Sequence, residues 1–469
     1  MVPESRGLNV QELAAEMRGG FADERNNQRL ETTVRCIARD PTASLPKVCS
    51  SAELEGAYRF LSNPLVTPDQ ILAPHIESTT RRAAEESRVL VVHDSTIFSF
   101  RVDGQRIGLG RARTSTQTFF GHFSLVVSAD GERRPLGLAA LTTWVRGAEP
   151  DGTEHGRWLR QIESTASTLA LGSRAIHVFD REGDDYYLFH RVIDAGGHFI
   201  TRADTDRHTM GEDGVSERLR TVVTTFEHAV ERKVDLSRRK HERLPSKAKT
   251  FPARAPRTAR LCVAAAPVAL MRPGNYGGSK YPDRGDLPQV LTVNVVRVWE
   301  PDPPHGCTAV EWILYTNEPI SSAAEILDVV DHYRARWVIE EYFKALKTGC
   351  AYESRQLHEY EALLNMLAVL APIAYHALRV RTVARATPDA PASSVATDDE
   401  LDVLKLLGRR PLPEKPRARD VLLAIAALGG HIKYAPDPGW LTISRGYQQL
   451  ELLTRGWVAA KIQLRSDQR

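Results

Sequence analysis

The sequence has few cysteines, and they are scattered. Among its 469 residues there are five, with no C-x-x-C pair and no group of histidines beside them: Cys36, Cys49, Cys262, Cys307 and Cys350. This distribution argues against a structural zinc site and against a disulfide framework. It favours a reducing compartment, so we expect a cytoplasmic protein.

Long uninterrupted apolar runs are also missing. The most apolar segment, ALLNMLAVLAPIAYHAL at residues 362–378, is interrupted by Asn365, Pro372 and His376. The N-terminus lacks the apolar stretch that a signal peptide carries. We therefore expect residues 362–378 to form a buried helix, and we expect no membrane partner.

The chain carries almost no net charge. Its 62 Lys and Arg residues against 59 Asp and Glu residues leave a formal charge of +3. Any affinity for nucleic acid must therefore come from local patches. With 42% hydrophobic and 26% charged residues the composition is that of a folded globular protein. The length suggests about two to four domains.

The order of the patterns indicates an α/β protein with helical ends. Residues 1–70 have helical patterns, and Asp23 is the predicted N-cap of a helix that ends near Arg39. In the next part, residues 71–205, three β-rich runs are followed by a helix, a strand, a helix and a strand. These runs are 88–94, 122–130, 134–146, 156–173, 175–180, 184–195 and 198–203. Such an order is typical of an α/β domain.

The α/β pattern is then interrupted. Residues 206–319 contain three strand-like runs that predict a separate, mostly antiparallel insertion. The α/β domain resumes over residues 320–380 with a helix-rich pattern. We expect a linker over 381–416, because residues 387–400 have a linker composition. A last helical unit is expected over 417–469.

Local positive charge is concentrated in the insertion. Residues 238–260 hold nine basic residues against one acidic residue, Glu242, and the stretch begins with Arg238, Arg239 and Lys240. Such a stretch favours contact with phosphates. A solvated loop without a partner is the alternative.

One segment carries a row of polar side chains. DHYRARWVIEEYFKALKTG, residues 331–349, predicts one helix. At about 100° per residue, five of its side chains fall within a strip about 80° wide. These side chains are Tyr333, Arg336, Glu340, Lys344 and Lys347. The row is either a solvated face with i,i+4 ion pairs or a metal ligand, Glu340, set among groups that bind a polyanion.

Two predicted strands end in an aspartate, Asp94 in RVLVVHD and Asp180 in AIHVFD. The ends of strands are where α/β proteins place their chemistry. Together with Glu340 these carboxylates predict a site of oxygen ligands for Mg²⁺, with Mn²⁺ as a substitute. Two such ions about 3.5–4 Å apart suit displacement at a phosphodiester. The neighbouring Lys and Arg side chains would hold nucleic-acid phosphates.

Other readings of the motifs fit less well. His93 and His177 lie near the aspartates, but they lack the spacing of a zinc hydrolase and are expected to pack in the sheet. The glycine pattern GQRIGLG, residues 104–110, follows no strand-to-helix step, which disfavours nucleotide binding. A glycosidase with paired carboxylates would not explain the basic row.

The motifs resemble those of a known family. The spacing Y-x2-R-x3-E-x6-K, formed by Tyr333, Arg336, Glu340 and Lys347, resembles the signature of the insertion sequence four family of DDE transposases, the family of the transposon five transposase. Similar blocks occur in the family order: EGAYRFLSNP (55–64), HDSTIFSF (93–100), FDREGD (179–184), WILYTNEP (312–319) and IEEYFKALKTG (339–349). The similarity spans about residues 20–380, with a weaker match at 418–432.

The resemblance implies a ribonuclease H-like catalytic domain interrupted by a β insertion, with a helical N-terminal domain for DNA-end recognition and a helical C-terminal domain for dimerisation. It implies that three carboxylates hold two Mg²⁺ ions and that other side chains contact DNA. The carboxylates would be Asp94, Asp180 and Glu340. The phosphate contacts would be Tyr333, Arg336, Lys344 and Lys347, with Arg25 and Arg29 for end recognition and Trp312 stacking on a flipped base.

The function that the resemblance implies is cut-and-paste transposition by a homodimer on double-stranded DNA. One strand is nicked at the transposon end, the 3′-hydroxyl attacks the opposite strand to give a hairpin, and the reopened end joins target DNA. Two alternatives stay open. They are a ribonuclease H-like endonuclease that does not join strands, and a domesticated DNA-binding protein without catalysis, which the presence of all three carboxylates disfavours.

Overall fold

The computed structural model describes residues 10–101, 106–113, 116–146, 154–236, 242–243, 250–251, 254–274, 287–432 and 437–467. Within these ranges the protein is a mixed α/β structure. A large mixed sheet occupies the middle, and helices form both ends of the chain.

Helices form the N-terminal part, as predicted. They are α1 (Val10–Glu16), α2 (Glu24–Arg39), α3 (Leu45–Val48), α4 (Ser51–Leu61) and α5 (Pro68–Ala84). Asp23 is the N-cap of α2, where its side chain accepts a hydrogen bond from the backbone N–H of Arg25. The predicted start and end of this helix are confirmed. Capping boxes begin α4 and α5, so the sequence itself marks where these helices start.

The predicted α/β order is also confirmed. Its elements are β1 (Val89–Arg101), β2 (Gly110–Arg113), β3 (Thr116–Ser128), β4 (Pro135–Trp144), α6 (Glu154–Leu169), β5 (Ala175–Phe179), α7 (Tyr186–Asp194) and β6 (His198–Arg202). The short β2 was not predicted. Strands β1, β5 and β6 are parallel neighbours, while β3 pairs antiparallel with β1 and with β4.

The insertion is antiparallel, as predicted, but it is not a separate sheet. It contains β7 (His208–Met210), β8 (Ser216–Arg218), α8 (Leu219–Val222), β9 (Val230–Leu236), β10 (Glu242–Arg243), β11 (Thr250–Phe251), β12 (Arg257–Met271), β13 (Val290–Trp299) and β14 (Glu311–Thr316). Strand β14 pairs with β6, so β14, β13 and β12 extend the α/β sheet. This pairing covers the backbone groups that β6 would otherwise expose at an edge.

The segment predicted as one helix over 331–349 is divided. Helix α9 (Ala323–Ala335) ends before Arg336, and α10 (Trp337–Lys344) leads into a π-helical turn at Ala345–Gly349. The backbone N–H of Arg336 bonds to the carbonyl of Tyr333, and that of Cys350 bonds to the carbonyl of Ala345. The first of these hydrogen bonds spans three residues and the second spans five, whereas an α-helix uses a spacing of four. The two irregular spacings break the regular advance of about 100° per residue.

The chain ends in helices, as expected. They are α11 (Tyr360–Ala386), α12 (Asp398–Leu407), α13 (Ala418–Leu428) and α14 (Trp440–Asp467). The expected linker at 381–416 is wrong as a structureless segment, because it contains the end of α11 and all of α12. The capping box of Thr397 and Glu400 starts α12, which buries Val403 and Leu404 against α13 and α14.

Among the described residues, α11 is the one helix long and apolar enough to cross a membrane, and 83% of its most apolar window is buried inside the protein. The prediction of a buried helix over 362–378 is therefore confirmed. Asn365 on this helix donates hydrogen bonds to the carbonyls of Leu61 and Val66, which ties α11 to the α4–α5 connection.

Alternation along the strands assigns side chains to the two faces of the sheet. On one face, β1, β5 and β14 contribute Val92, Val178 and Leu314 to a core shared with α9, α10 and α11. On the other face, Phe179 and Tyr315 pack with α6 and α7. The residues of the candidate site lie on the first of these two faces.

The junction between β6 and β14 yields a prediction about stability. The Asn317 side chain accepts a hydrogen bond from the N–H of Phe199 at 2.9 Å and donates one to the carbonyl of Gly197 at 2.8 Å. We expect Asn317→Ala to lower the free energy of unfolding by about 1–3 kcal/mol, because backbone groups lose their partners. Urea unfolding followed by tryptophan fluorescence measures this. Asn63→Ala, which removes a single exposed turn bond, is the control and should shift the midpoint much less.

Candidate active site

Two strands bring the predicted aspartates together. The parallel register of β1 and β5 pairs Val92 with Val178 and His93 with Phe179, so Asp94 and Asp180 follow at the next level of the sheet. Alternation places both on the face that Val92 and Val178 share. Both side chains are half-buried. The structure thus brings these predicted residues to one edge, where the two strands diverge.

The turn after β5 holds Asp180 in place. Its side chain caps a short 3₁₀ helix, Arg181–Gly183, by accepting a hydrogen bond from the N–H of Glu182 at 2.8 Å. A Cβ atom at Gly183 would lie 2.3 Å from the ring of Phe179. The tight turn therefore requires glycine at this position, and FDREGD is the local signal that encodes it.

Helix α10 supplies the third carboxylate. The Arg336 guanidinium donates one hydrogen bond to Asp94 at 3.1 Å and another to Glu340 at 2.6 Å. The Arg336 side chain is only 8% exposed. Its charge links a carboxylate on β1 with a carboxylate on α10, so all three predicted carboxylates belong to one cluster.

The electrostatics of this cluster are unfavourable for negative charge. Burial and the charge of Asp180 raise the pKa of Asp94 to about 7, although Arg336 lowers it. Burial also lowers the pKa of Arg336, but the charges of Asp94 and its neighbours outweigh this effect and raise the pKa. A further cation beside Asp94 and Asp180 would relieve the repulsion. A set of carboxylate oxygens suits a hard divalent ion, so these residues fit such a metal.

The remaining members of the polar row separate. Tyr333 is buried and lies at the cluster, where burial raises its pKa. Lys344 turns to Glu341 at 2.7 Å, and Lys347 donates to the carbonyl of Ile97 at 2.6 Å. Because Tyr333 and Arg336 are buried, the row is not a solvated face. The π turn explains why Lys347 points toward β1 instead of continuing the row.

Trp312 lies beside the cluster on the same face of the sheet. Its ring contacts the ring of Tyr333 edge to face, with the centroids 5.8 Å apart. The guanidinium of Arg202 lies 5.9 Å from the Trp312 centroid. The Trp312 side chain is half-buried and packs against the core beneath the sheet.

Sequence reasoning missed two basic residues of the site. Arg202 ends β6, on the face of Asp180, and Arg181 directly follows Asp180. Burial lowers the pKa of Arg202, and the nearby charges of Arg181 and Arg336 lower it further. Three guanidiniums therefore surround the carboxylates. In the sequence, Arg181 and Arg202 do stand at the ends of predicted strands. Only the pairing of β5 with β6 shows that Arg202 is adjacent to Asp180.

His93 and His177 pack inside the sheet, as expected. They hydrogen-bond to each other at 2.9 Å, and Ser124 bonds to His93 at 3.0 Å. Burial lowers the pKa of His93 well below its ordinary value and that of His177 to about 4. Neutral, mutually bonded imidazoles on the face opposite Asp94 are structural groups.

Two further predicted DNA contacts, Arg25 and Arg29, belong to α2 and not to this cluster. Arg25 is exposed and bonds to Asp23 at 3.0 Å, while Arg29 is half-buried on α2. The start of the basic stretch lies outside the described residues: Arg238, Arg239 and Lys240. At its end, Arg257 pairs with Glu300, and Arg260 pairs with Glu231 and Asp302. Part of the expected surplus charge is therefore neutralised within the protein.

Two family models match the chain. Residues 14–66, which contain α2 to α4, match the family described as transposase DNA-binding. Residues 88–375 match the family described as transposase DDE domain. In a search of solved structures, the chain is similar to the piggyBac transposase in a cryo-EM structure of its synaptic complex with hairpin DNA. The identity is 8%, the alignment covers 97% of this chain and 77% of that chain, and the TM-score is 0.35.

A transposase DNA-binding match followed by a transposase DDE match over the mixed sheet supports a DNA transposase. The DDE match covers more than half of the 469 residues, and the chain therefore belongs to the transposase DDE domain family. DNA is its partner, and domains of this family generally use divalent metals.

Asp184 is a fourth carboxylate near Asp180. Substitutions at these two positions should distinguish a structural acid from a catalytic one. Asp184 is nearly inaccessible and bonds to Arg207 at 2.6 Å and to the N–H groups of Asp204 and Thr205. We expect Asp184→Asn to lower the free energy of unfolding by about 3–5 kcal/mol, because Arg207 keeps a buried, poorly compensated charge.

Asp180→Asn is the matched comparison, because an asparagine oxygen can still cap the turn. We expect it to change the free energy of unfolding by less than about 1 kcal/mol. Urea unfolding of both variants provides the measurement. Equal destabilisation by the two substitutions would contradict the distinction between these acids.

Proposed function

We propose that the protein is a cut-and-paste transposase of the insertion sequence four family, similar to the transposon five transposase, acting as a homodimer on paired DNA ends. The carrying observation is that Arg336 bonds to both Asp94 and Glu340 while the β1–β5 register sets Asp94 level with Asp180. The sequence spacing Y-x2-R-x3-E-x6-K supports the family assignment. The parallel strands β1, β5 and β6 with antiparallel β3 support a ribonuclease H-like catalytic domain.

The proposed division of labour follows the helical and sheet-containing parts of the chain. Residues 1–70 recognise the transposon end, with Arg25 and Arg29 as contacts. Residues 71–205 and 320–380 form the catalytic domain, residues 206–319 form an insertion that shares its sheet, and residues 417–469 contribute to dimerisation. Arg238, Arg239 and Lys240 add phosphate contacts that carry no sequence choice.

Asp94, Asp180 and Glu340 would hold two Mg²⁺ ions, for which Mn²⁺ can substitute. When bound, such ions polarise the phosphate and activate the attacking oxygen. The protein's own side chains do the remaining work. Tyr333, Arg336 and Lys347 would hold the DNA phosphates beside the carboxylates, and the Tyr333 ring also contacts Trp312. Lys344, which is exposed, would contact the backbone farther from the reacting phosphate.

The hairpin step requires a sharply bent strand and a base turned out of its stack. Trp312 is half-buried, with one edge on Tyr333 and Arg202 near its ring. This arrangement can receive a base on an aromatic face while a guanidinium holds the adjacent phosphate. We therefore propose that Trp312, Tyr333 and Arg202 act together in hairpin formation.

An endonuclease that cuts without joining is the second candidate function, because the same three carboxylates would serve it. Terminal inverted repeats beside the gene, and joining of a cut end to plasmid DNA, distinguish the two. A domesticated DNA-binding protein without catalysis is disfavoured, because the carboxylate cluster with its bonded arginine is present.

The three carboxylates provide the first test. We expect Asp94→Asn, Asp180→Asn and Glu340→Gln each to abolish cleavage of a terminal inverted-repeat duplex in Mg²⁺ or Mn²⁺. The amide loses the charge that holds a divalent ion. Binding of the duplex, measured by gel shift without metal, should stay close to that of the unchanged protein, since most DNA contacts lie elsewhere.

Glu361→Gln, on the exposed start of α11, is the control and should cleave normally. A readout independent of activity is the melting temperature. Mg²⁺ or Mn²⁺ at about 100 times its dissociation constant should stabilise the unchanged protein by about 2.7 kcal/mol but not the variants. Near-normal cleavage by any one triad variant would overturn the assignment.

Trp312 provides the second test. We expect Trp312→Ala to leave the first nick almost unchanged and to block the hairpin, because only the second step needs a base held outside the stack, at a cost of a few kcal/mol. Trp312→Phe should be intermediate. A denaturing gel resolves nicked from hairpin products.

A purely structural tryptophan would behave differently. Nicking and hairpin formation would then fall together as the folded fraction fell, with about 3–5 kcal/mol of stability lost. A melting curve for each variant, recorded with the same preparation, separates the two explanations.

A further inference from the structure

A second surface adjoins the carboxylate cluster on the other flank of α10. Trp337 follows Arg336 in the chain, and its side chain is 54% exposed. The guanidinium carbon of Arg336 lies 5.1 Å from the Trp337 ring centroid. The charge that bonds to Asp94 and Glu340 therefore also contacts this exposed ring. More than half of the Trp337 surface stays accessible beside this contact, so the ring can also bind a ligand.

Trp337 lines a groove of about 370 Å³ that runs between α10, the end of α11 and the β3–β4 turn. Val338 and Leu378 give the groove an apolar floor, and arginines form its rim. Those on the rim are Arg133, Arg334, Arg381 and Arg385. This combination of one exposed aromatic ring and several guanidiniums is typical of surfaces that bind nucleic acid.

The residues that line the groove include four arginines and two glutamates, Glu132 and Glu341, and residues beside the groove take part in the same ion pairs. Asp331 is shared by Arg133, Arg232 and Arg334; Glu341 is shared by Lys344 and Arg381; Asp437 is shared by Arg385 and Arg419. Seven cations thus share three carboxylates. Glu132, the other acid at the groove, pairs with Arg134. A polyanion would satisfy the surplus donors that these shared pairs leave.

We propose that this groove, defined by Trp337 and the arginines around it, binds the target DNA during strand transfer. The inference rests on the proposed function, because strand transfer brings two DNA segments to one set of carboxylates. Trp312 and Arg202 lie beside the cluster on the sheet, whereas Trp337 lies on the flank of α10 that faces the end of α11. The two flanks match the two segments: the transposon end lies on the Trp312 side, and the target lies in the groove.

The proposed contacts have distinct roles. The arginines hold target phosphates without sequence preference, and the Trp337 ring packs on a base or sugar of the bent target next to the attacked phosphate. Since Arg336 lies between Trp337 and the carboxylates, the ring also sets how close the target strand can approach them.

The experiment separates cleavage from joining. Cleavage is measured on terminal inverted-repeat duplexes, and joining is measured with pre-cleaved duplexes of the same sequence and supercoiled plasmid as the target. For Trp337→Ala we expect joining to fall about tenfold or more, as for loss of one base-stacking ring, with Trp337→Phe restoring most of it. The double variant Arg133→Gln, Arg385→Gln changes two groove arginines away from Arg336. It therefore tests the groove even if Trp337→Ala disturbs Arg336.

For the double variant we expect end cleavage within about twofold of normal. The slope of log affinity for plasmid against log salt concentration should flatten by about 0.9 per lost phosphate contact. Arg409→Gln, a change of an exposed arginine remote from the groove, is the matched control and should change neither reaction.

Three results would overturn the proposal. Equal loss of cleavage and joining in the double variant would assign the groove to the transposon end. Unchanged joining in both variants would show that no DNA binds there. Loss of the dimer in light scattering would assign the groove to a second copy of the chain. If the unchanged protein cleaves no inverted-repeat duplex, the proposed function itself fails, and this result is distinct from the other three.

Discussion

The central constraint is electrostatic: three carboxylates must be held close together although they repel one another. The β1–β5 register places Asp94 and Asp180 at one level of the sheet, and packing of α10 on the same face adds Glu340. Burial raises the pKa of Asp94, which shows how unfavourable this arrangement is without compensation. Arg336 supplies part of that compensation through two hydrogen bonds. A buried carboxylate with a raised pKa beside other acids is typical of a functional site.

The continuous sheet explains how an insertion contributes to the same site. Had β12, β13 and β14 formed their own sheet, Trp312 would have no fixed relation to Asp180. Pairing of β14 with β6 instead sets Trp312 near Arg202, on the face of the carboxylates. The rigidity of a shared sheet thus replaces a mobile domain contact. It also satisfies the backbone of β6, so one interaction serves both stability and the site.

Helix α10 separates two regions of different character. Toward the sheet, Arg336 and Glu340 face the carboxylates, and Tyr333 just before them faces Trp312. Toward α11, Glu341 binds Arg381 and the indole N–H of Trp440. The C-terminal helices are therefore connected to the helix that bears Glu340.

The sequence alone determined most elements and the candidate chemistry. Strand alternation, capping residues such as Asp23, and the spacing from Tyr333 to Lys347 are local signals, because each depends on residues a few positions apart. Only the tertiary structure decided that the insertion extends the sheet, that Lys347 turns toward β1, and that Arg202 and Trp337 adjoin the cluster. These facts depend on strand pairing, on a π turn and on helix packing between residues far apart in the chain, and no local periodicity encodes such contacts.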